Sequence, residues 1–363
     1  MKTIYDISIS LMTPLHIGSG KELHHDYDYV AHKGKTWVID SDKIIDALFF
    51  KDGKLDERML GQPAARLLRE NQFHEGSDFF RYVLPGTPRS KREGAVLQEQ
   101  FKDVFNRPYI PGSSLKGALR TVLAWHGYQE KGLKLDVDQM GYKRSWAAQQ
   151  TEQQIFGKNP NLDLLRALQV ADSQPVDAKR LQIINAQVIT GHREPGAPIE
   201  MEAIQSDTEL ETTISVDNFL HTKEAGQTLR FGNQRWSWLR ELPQIAQAYG
   251  LERVSIEHQW FRQQNYTHIA NFYEQLESAL KGGLGQGRFL IDIGWGGGWE
   301  SKTIGKPLQA DSRAWEEFMD SRLSPSRFKR QRSDEFPKSR RAVVANKEPV
   351  APLGWCLVEM NER

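Results

Sequence analysis

Apolar residues recur with two different periods along this chain. Tyr5, Ile7, Ile9 and Leu11 alternate with Asp6, Ser8 and Ser10, the period of a half-buried strand starting almost at the first residue. Residues 168–171, 181–186, 212–216, 342–345 and 352–359 read as further strands. Helical spacing links Leu115, Leu119, Val122 and Leu123, and again Ile269, Phe272, Tyr273, Leu276 and Leu280 within 265–280. Residues 64–72 and 312–319 also read as helical. Residues 289–293 form a short apolar run between glycine groups, the pattern of a buried strand. Residues 187–204 read as a hairpin arm whose tip, 191–198, holds two glycines and two prolines.

The segment 281–305, KGGLGQGRFLIDIGWGGGWESKTIG, concentrates the unusual chemistry. Eight glycines fall between Gly282 and Gly298, with Trp295 and Trp299 set among them. Residues 296–303 read G-x-x-x-x-S-K-T, yet Gly305 and Pro307 follow at once and break the helix a phosphate-binding loop requires. The dinucleotide spacing G-x-G-x-x-G is absent. Two readings stay open. One is a tight turn packed on a neighbouring strand. The other is a backbone-lined groove for single-stranded nucleic acid, formed around Gly296, Gly297 and Gly298. In it Trp295 or Trp299 stacks on bases and Lys302 meets phosphate.

A second informative stretch is 109–123, YIPGSSLKGALRTVL. Pro111 and Gly112 predict a turn, Ser113 or Ser114 a helix cap, and Lys116 and Arg120 lie four residues apart on one face. Backbone N–H groups, two hydroxyls and Lys116 at a helix start form an anion site, or else an ordinary capped surface helix. His24, His25, Asp26 and Asp28 cluster without metal-ligand spacing and read as a solvated loop. Residues 322–341 carry eight Lys/Arg against two acids, including Phe336-Pro337-Lys338-Ser339-Arg340-Arg341. That run reads as a solvated face or an RNA-facing patch.

Composition narrows the classes. Lys and Arg total 48 against 47 Asp and Glu, so net charge points to no partner. The lone Cys356 excludes internal disulfides and cysteine-based zinc sites. No apolar run reaches membrane-spanning length and no signal-peptide core is present. These features predict a cytoplasmic protein with no membrane association, and 363 residues make two domains the default.

The stretches LMTPLHIGSG, YIPGSSLKGALRTVL, IDIGWGGGWESKT, FPKSRR and PLGWCLVEM occur in one order. In them the chain resembles the RAMP superfamily of CRISPR proteins and, within it, the family of fifth Csm subunits of type III-A effector complexes. The Pro-Gly-Ser-Ser-x-Lys-Gly start is shared by many RAMP proteins, whereas IGWGGGWESKT, FPKSRR and PLGW discriminate more. Residues 47–102 and 125–157 carry no matching motif.

The resemblance implies an α+β fold of two ferredoxin-like (RRM-like) domains with helical insertions. Residues 1–225 would include the hairpin arm and residues 226–363 the glycine loop. It implies a non-catalytic subunit that binds guide RNA (crRNA), caps the 3′-proximal end of the backbone filament and is needed for crRNA maturation in antiviral defence. Its partners would be crRNA, Csm backbone subunits, the other Csm proteins and host trimming nucleases, with neither cofactor nor metal. His16, Ser113, Ser114, Lys116 and Arg120 would hold the RNA backbone, and the arm would act as a thumb kinking the strand. Gly296, Gly297, Gly298, Trp299, Lys302, Lys338, Arg340 and Arg341 complete the expected RNA-binding set, with Trp295 the buried tryptophan. The alternative is a RAMP endoribonuclease processing precursor crRNA with His16 or another histidine as general base.

Overall fold

A computed structural model describes residues 2–51, 54–55, 62–141, 143, 146–191, 196–229, 233–322 and 335–363. The chain begins with β1 (Lys2–Leu11) and turns through a tight loop into β2 (Gly18–His24). Strand β3 (Val96–Gln100) returns beside β2 and leads to helix α1 (Gly112–Glu130). The short β4 (Leu168–Val170) precedes a hairpin of β5 (Leu181–Thr190) and β6 (Ile199–Ile204), and β7 (Glu209–Asp217) follows. Two long helices, α2 (Leu242–Gln263) and α3 (Thr267–Gly282), lead to β8 (Arg288–Asp292). After α4 (Ser312–Ser321) come β9 (Ser339–Ala345), β10 (Glu348–Ala351) and β11 (Trp355–Glu362).

Two main sheets result, and the fold is α+β with ferredoxin-like architecture and helical insertions. The five-stranded sheet has the order β8-β11-β1-β7-β4 with antiparallel neighbours. Taken as β1-α1-β4-β7-α2-β11, it is the β-α-β-β-α-β arrangement of ferredoxin-like folds. The six-stranded sheet runs β10-β9-β5-β6-β3-β2. Both sheets take strands from either side of residue 225, so the expected halves are interleaved rather than side by side. One core unites them: Ile7, Ile9 and Leu11 of β1 and Val358 of β11 bury together with Leu115, Leu119, Val122 and Leu123 of α1 and with Leu97, Leu181 and Ile204 of the six-stranded sheet. The alternation in β1 thus faces its apolar residues to α1, as its period requires.

Several expected elements differ in extent. Residues 64–72 form two single 3-10 turns, Ala64–Leu67 and Glu70–Gln72, because Leu68 and Arg69 between them are extended and Gln72 Oε1 accepts the Arg69 N–H. Strand β5 runs to Thr190, because its outer half pairs with β9 from Ala186↔Val343 to Thr190↔Ser339. The expected final strand starts at Trp355, with Gly354 (φ +77) in the turn before it. Of the expected arm tip, residues 192–195 lie outside the described residues, as do 323–334 of the basic run.

Candidate nucleic-acid interface

Three loops far apart in sequence meet at the ends of β1, β8 and β11. Trp295 donates its backbone N–H to His16 O (2.8 Å), Gly354 to Pro14 O (2.9 Å), and Ile293 to Gly354 O (2.8 Å). Trp355 N–H donates to Thr13 Oγ1 at 2.9 Å. The TPLH, IGWGGGW and PLGW motifs are therefore one junction. Its inner glycines serve packing: a Cβ on Gly297 would lie 2.0 Å from Ser301 Oγ and 2.2 Å from Asp292 Oδ2. Gly296 likewise packs against Leu353. Gly298 differs, since it has φ +70 and a Cβ added to it would meet nothing within 4 Å. Gly296 and Gly297 thus face inward, as a packed turn requires, while Gly298 faces open space.

Behind the loop lies a buried charge cluster. Arg340 Nε donates to Glu257 Oε2 at 2.7 Å, Arg253 Nη1 to Glu257 Oε1 at 3.2 Å, and Arg253 Nη2 lies 3.8 Å from Asp292 Oδ2. Burial works against the Arg253 charge, but Asp292 and then Glu257 more than offset it and hold its pKa above the usual range. Burial raises the Glu300 carboxyl, with Arg253 and Arg340 opposing. Arg340 also donates to Pro337 O at 2.8 Å and its guanidinium sits 4.8 Å from the Trp260 ring centre. The expected RNA contact at Arg340 therefore gives way to a structural one, because its charge is spent inside the protein.

The outer face carries the accessible groups. Trp295 and Trp299 are both half-buried, so the expected division into one buried and one free tryptophan does not appear. The Arg341 guanidinium lies 4.8 Å from the Trp295 ring centre, and Trp295 also packs against the Ile184, Ala186 and Leu353 cluster. Trp299 meets Phe336 at 5.1 Å and Trp315 at 5.8 Å, both edge-on. Lys302 and Lys338 are exposed.

The helix start departs from its expected geometry. Pro111 occupies the cap position with no side-chain cap bond, so neither Ser113 nor Ser114 caps α1. Asp172 Oδ1 accepts the Gly112 N–H at 2.7 Å, placing a carboxylate where an anion was expected. Ser113 is exposed and Ser114 half-buried. Lys116 Nζ donates to Leu165 O (2.9 Å) and Leu168 O (2.8 Å). Burial lowers its pKa, with Asp163 opposing. Arg120 pairs with Glu152 at 2.7 Å and Asp163 at 2.9 Å, and lies over Phe156. A phosphate would have to displace these partners, so both cations are clamps on the 152–168 segment.

His16 is 4% exposed. Its Nδ1 lies 2.6 Å from Glu202 O, which sets it as the donor and leaves Nε2 as the acceptor. Burial lowers its pKa, the Glu202 carbonyl opposes, and Lys102 lowers it further. The Glu202 carboxylate is itself a hub, taking Lys102 Nζ, Tyr82 OH (2.8 Å) and the Gln100 N–H (2.9 Å). The base of the arm is similarly fixed: Tyr266 OH donates to Thr190 O at 3.0 Å, and Gly196 N–H to Val188 O at 2.8 Å. Residues 187–190 are thus part of the six-stranded sheet.

Sequence reading missed the Arg253–Glu257–Asp292 cluster and the Glu202 hub. The signal for the first was an i, i+4 charge pair inside an otherwise buried helix face; nothing local marks the second. No helix among the described residues is long and apolar enough to cross a membrane.

Comparison with known proteins adds the following. Residues 8–301 match the sequence model of the RAMP superfamily. The CRISPR system Cms protein Csm5 of Methanocaldococcus jannaschii is 21% identical over 389 residues, covering 98% of this chain and 89% of that protein. The Streptococcus thermophilus protein of the same name is 27% identical over 261 residues, covering 62% of this chain and 66% of that protein. A chain in the cryo-EM structure of a Csm–crRNA–target RNA ternary complex from a type III-A CRISPR-Cas system matches with a TM-score of 0.74 and 25% identity. That match covers 98% of this chain and 100% of the other.

Proposed function

The chain belongs to the RAMP superfamily, and from that premise we propose that it is a crRNA-binding and assembly subunit of a type III-A Csm effector complex. In this role it caps the 3′-proximal end of the backbone filament, contacts Csm backbone subunits, and presents the crRNA end to host trimming nucleases for maturation. The observation that carries the reading is the end-to-end likeness to a chain of a Csm–crRNA–target RNA complex, at 98% and 100% coverage. The face proposed to meet RNA is the rim of the three-loop junction: Gly298, Trp299, Lys302, Lys338 and Arg341, with Ser113 and the arm tip as further contacts. Its chemistry suits a strand read without sequence preference, an aromatic ring for bases and cations for phosphates.

The endoribonuclease alternative rests on His16, whose held tautomer is that of a general base. At 4% exposure, the His16 ring offers a 2′-hydroxyl little access, so the binding role is preferred. The two are separated by purifying Csm complexes with and without this chain and sequencing crRNA 3′ ends. Longer or heterogeneous ends in its absence support the assembly role. Site-specific cleavage of precursor crRNA by the isolated chain would refute the non-catalytic reading.

A further inference from the structure

The connector between β3 and α1 presents a surface outside the face proposed to meet RNA. Lys102 and Pro108 face each other in an antiparallel bridge, and Asp103 N–H donates to Arg107 O at 2.9 Å. The Asp103 carboxylate accepts the Phe105 N–H (2.9 Å), the Arg107 N–H (2.8 Å) and Arg107 Nε (2.8 Å). Asn106 takes φ +62 at the turn, and Arg81 donates to its Oδ1 through Nε and Nη2. This closed turn carries Val104 and Phe105 at its tip, 89% and 72% exposed, the two most exposed large hydrophobic side chains among the described residues. An apolar tip on an ordered, polar-rimmed turn marks an interaction site. Because the backbone is held by its own hydrogen bonds, docking needs little further ordering.

We propose that the Val104–Phe105 turn is a docking knob that enters an apolar socket on a neighbouring protein subunit. Charge decides against RNA as its occupant. Arg107 is paired with Asp103 and lies 5.2 Å from the Phe105 ring centre, covering one stacking face. Lys102 is held by Glu202, and Arg81 by Asn106 with the Glu99 carboxylate 3.9 Å away to balance its charge. The tip thus offers no uncommitted cation to a phosphate, and a branched Val104 supplies no stacking plane. A neutral rim around an aromatic and an aliphatic anchor complements an uncharged apolar pocket. The cavity between α2 and α3 of this chain, about 330 Å³, is walled by His258, Arg262, Asn271 and Glu274. That lining does not suit an apolar knob.

The identity of the partner as a Csm subunit rests on the proposed function. The test compares the wild type, the double variant Val104→Ser/Phe105→Ser and the conservative Phe105→Leu, each co-expressed with the other Csm subunits. The double variant keeps the wild-type denaturation midpoint and the RNA affinity of the isolated chain, while its co-purification falls about tenfold or more. Phe105→Leu retains most of the assembly. A wild type that assembles alongside an equally competent double variant overturns the knob alone. A wild type that fails to co-purify overturns the functional reading and the knob with it. Lost RNA affinity with intact assembly assigns the turn to RNA, and a concentration-dependent dimer abolished by the double variant assigns it to a second copy; either result overturns the proposal.

Discussion

Lys116 separates the two roles a basic residue can play near a helix start, and Lys116→Met tests them cleanly. Methionine keeps the packed stem and removes only the ammonium. In the folded protein Nζ donates to two carbonyls, Leu165 O and Leu168 O, at 2.9 and 2.8 Å. Hydrogen bonds from a charged donor contribute about 1.5–3 kcal/mol each. The site is only half-buried, so water takes over part of that once the ammonium is gone. The net loss expected is about 2 kcal/mol of folding stability. A phosphate contact predicts something different, namely unchanged stability and a binding curve whose log–log salt slope is shallower by about 0.7 for single-stranded RNA. Urea unfolding and salt-dependent binding on the same preparations distinguish them. A variant as stable as wild type, with a salt slope reduced by about 0.7, would refute the clamp.

Three further outcomes are expected. Lys302→Ala, at an exposed loop position, leaves the unfolding midpoint unchanged and flattens the salt dependence of RNA binding by about 0.7; an unchanged slope removes Lys302 from the interface. Gly297→Ala destabilises more than Gly298→Ala, because its Cβ would meet Ser301 Oγ and Asp292 Oδ2 while Gly298 faces open space. At Gly298 only the left-handed backbone resists, by about 1–2 kcal/mol, and equal unfolding midpoints would contradict the packing described. Glu277, held by Lys281, then His258 and Ser255, has its pKa lowered to about 2. A carboxylate with a depressed folded pKa adds stability that is present above its unfolded value and lost as pH falls through about 2. Glu277→Gln is therefore less stable than wild type at pH near 6, with the gap closing from about pH 4.5 downward; a gap that does not depend on pH would argue for packing instead.

The local elements were legible wherever periodicity decides which side is buried. Alternation in β1 and the 3.6-residue stripes in α1 and α3 translate directly into the buried residues Ile9, Leu119 and Tyr273. Where tertiary partners decide, local pattern was silent. The outer half of β5 is a strand because β9 pairs with it from some 150 residues further along. Residues 64–72 fail as a helix because extended Leu68 and Arg69 interrupt it. The same limit applied to the site. Lys116 and Arg120 have the spacing of a phosphate clamp, but their partners Leu165, Leu168, Glu152 and Asp163 come from a stretch with no motif link to them. The glycine motif announced close approach without naming the neighbour, which proves to be the main chain at His16 and the side chains of Leu353 and Asp292.

Photo-crosslinking asks whether the rim of the three-loop junction meets the 3′-proximal crRNA. A Csm complex assembled on crRNA with a photoreactive 3′-terminal uridine is irradiated, and the crosslinked peptides are identified by mass spectrometry. Crosslinks are expected on this chain within the peptide that carries Trp295, Trp299 and Lys302. Crosslinks confined to other subunits, in a complex that contains this chain, would contradict it.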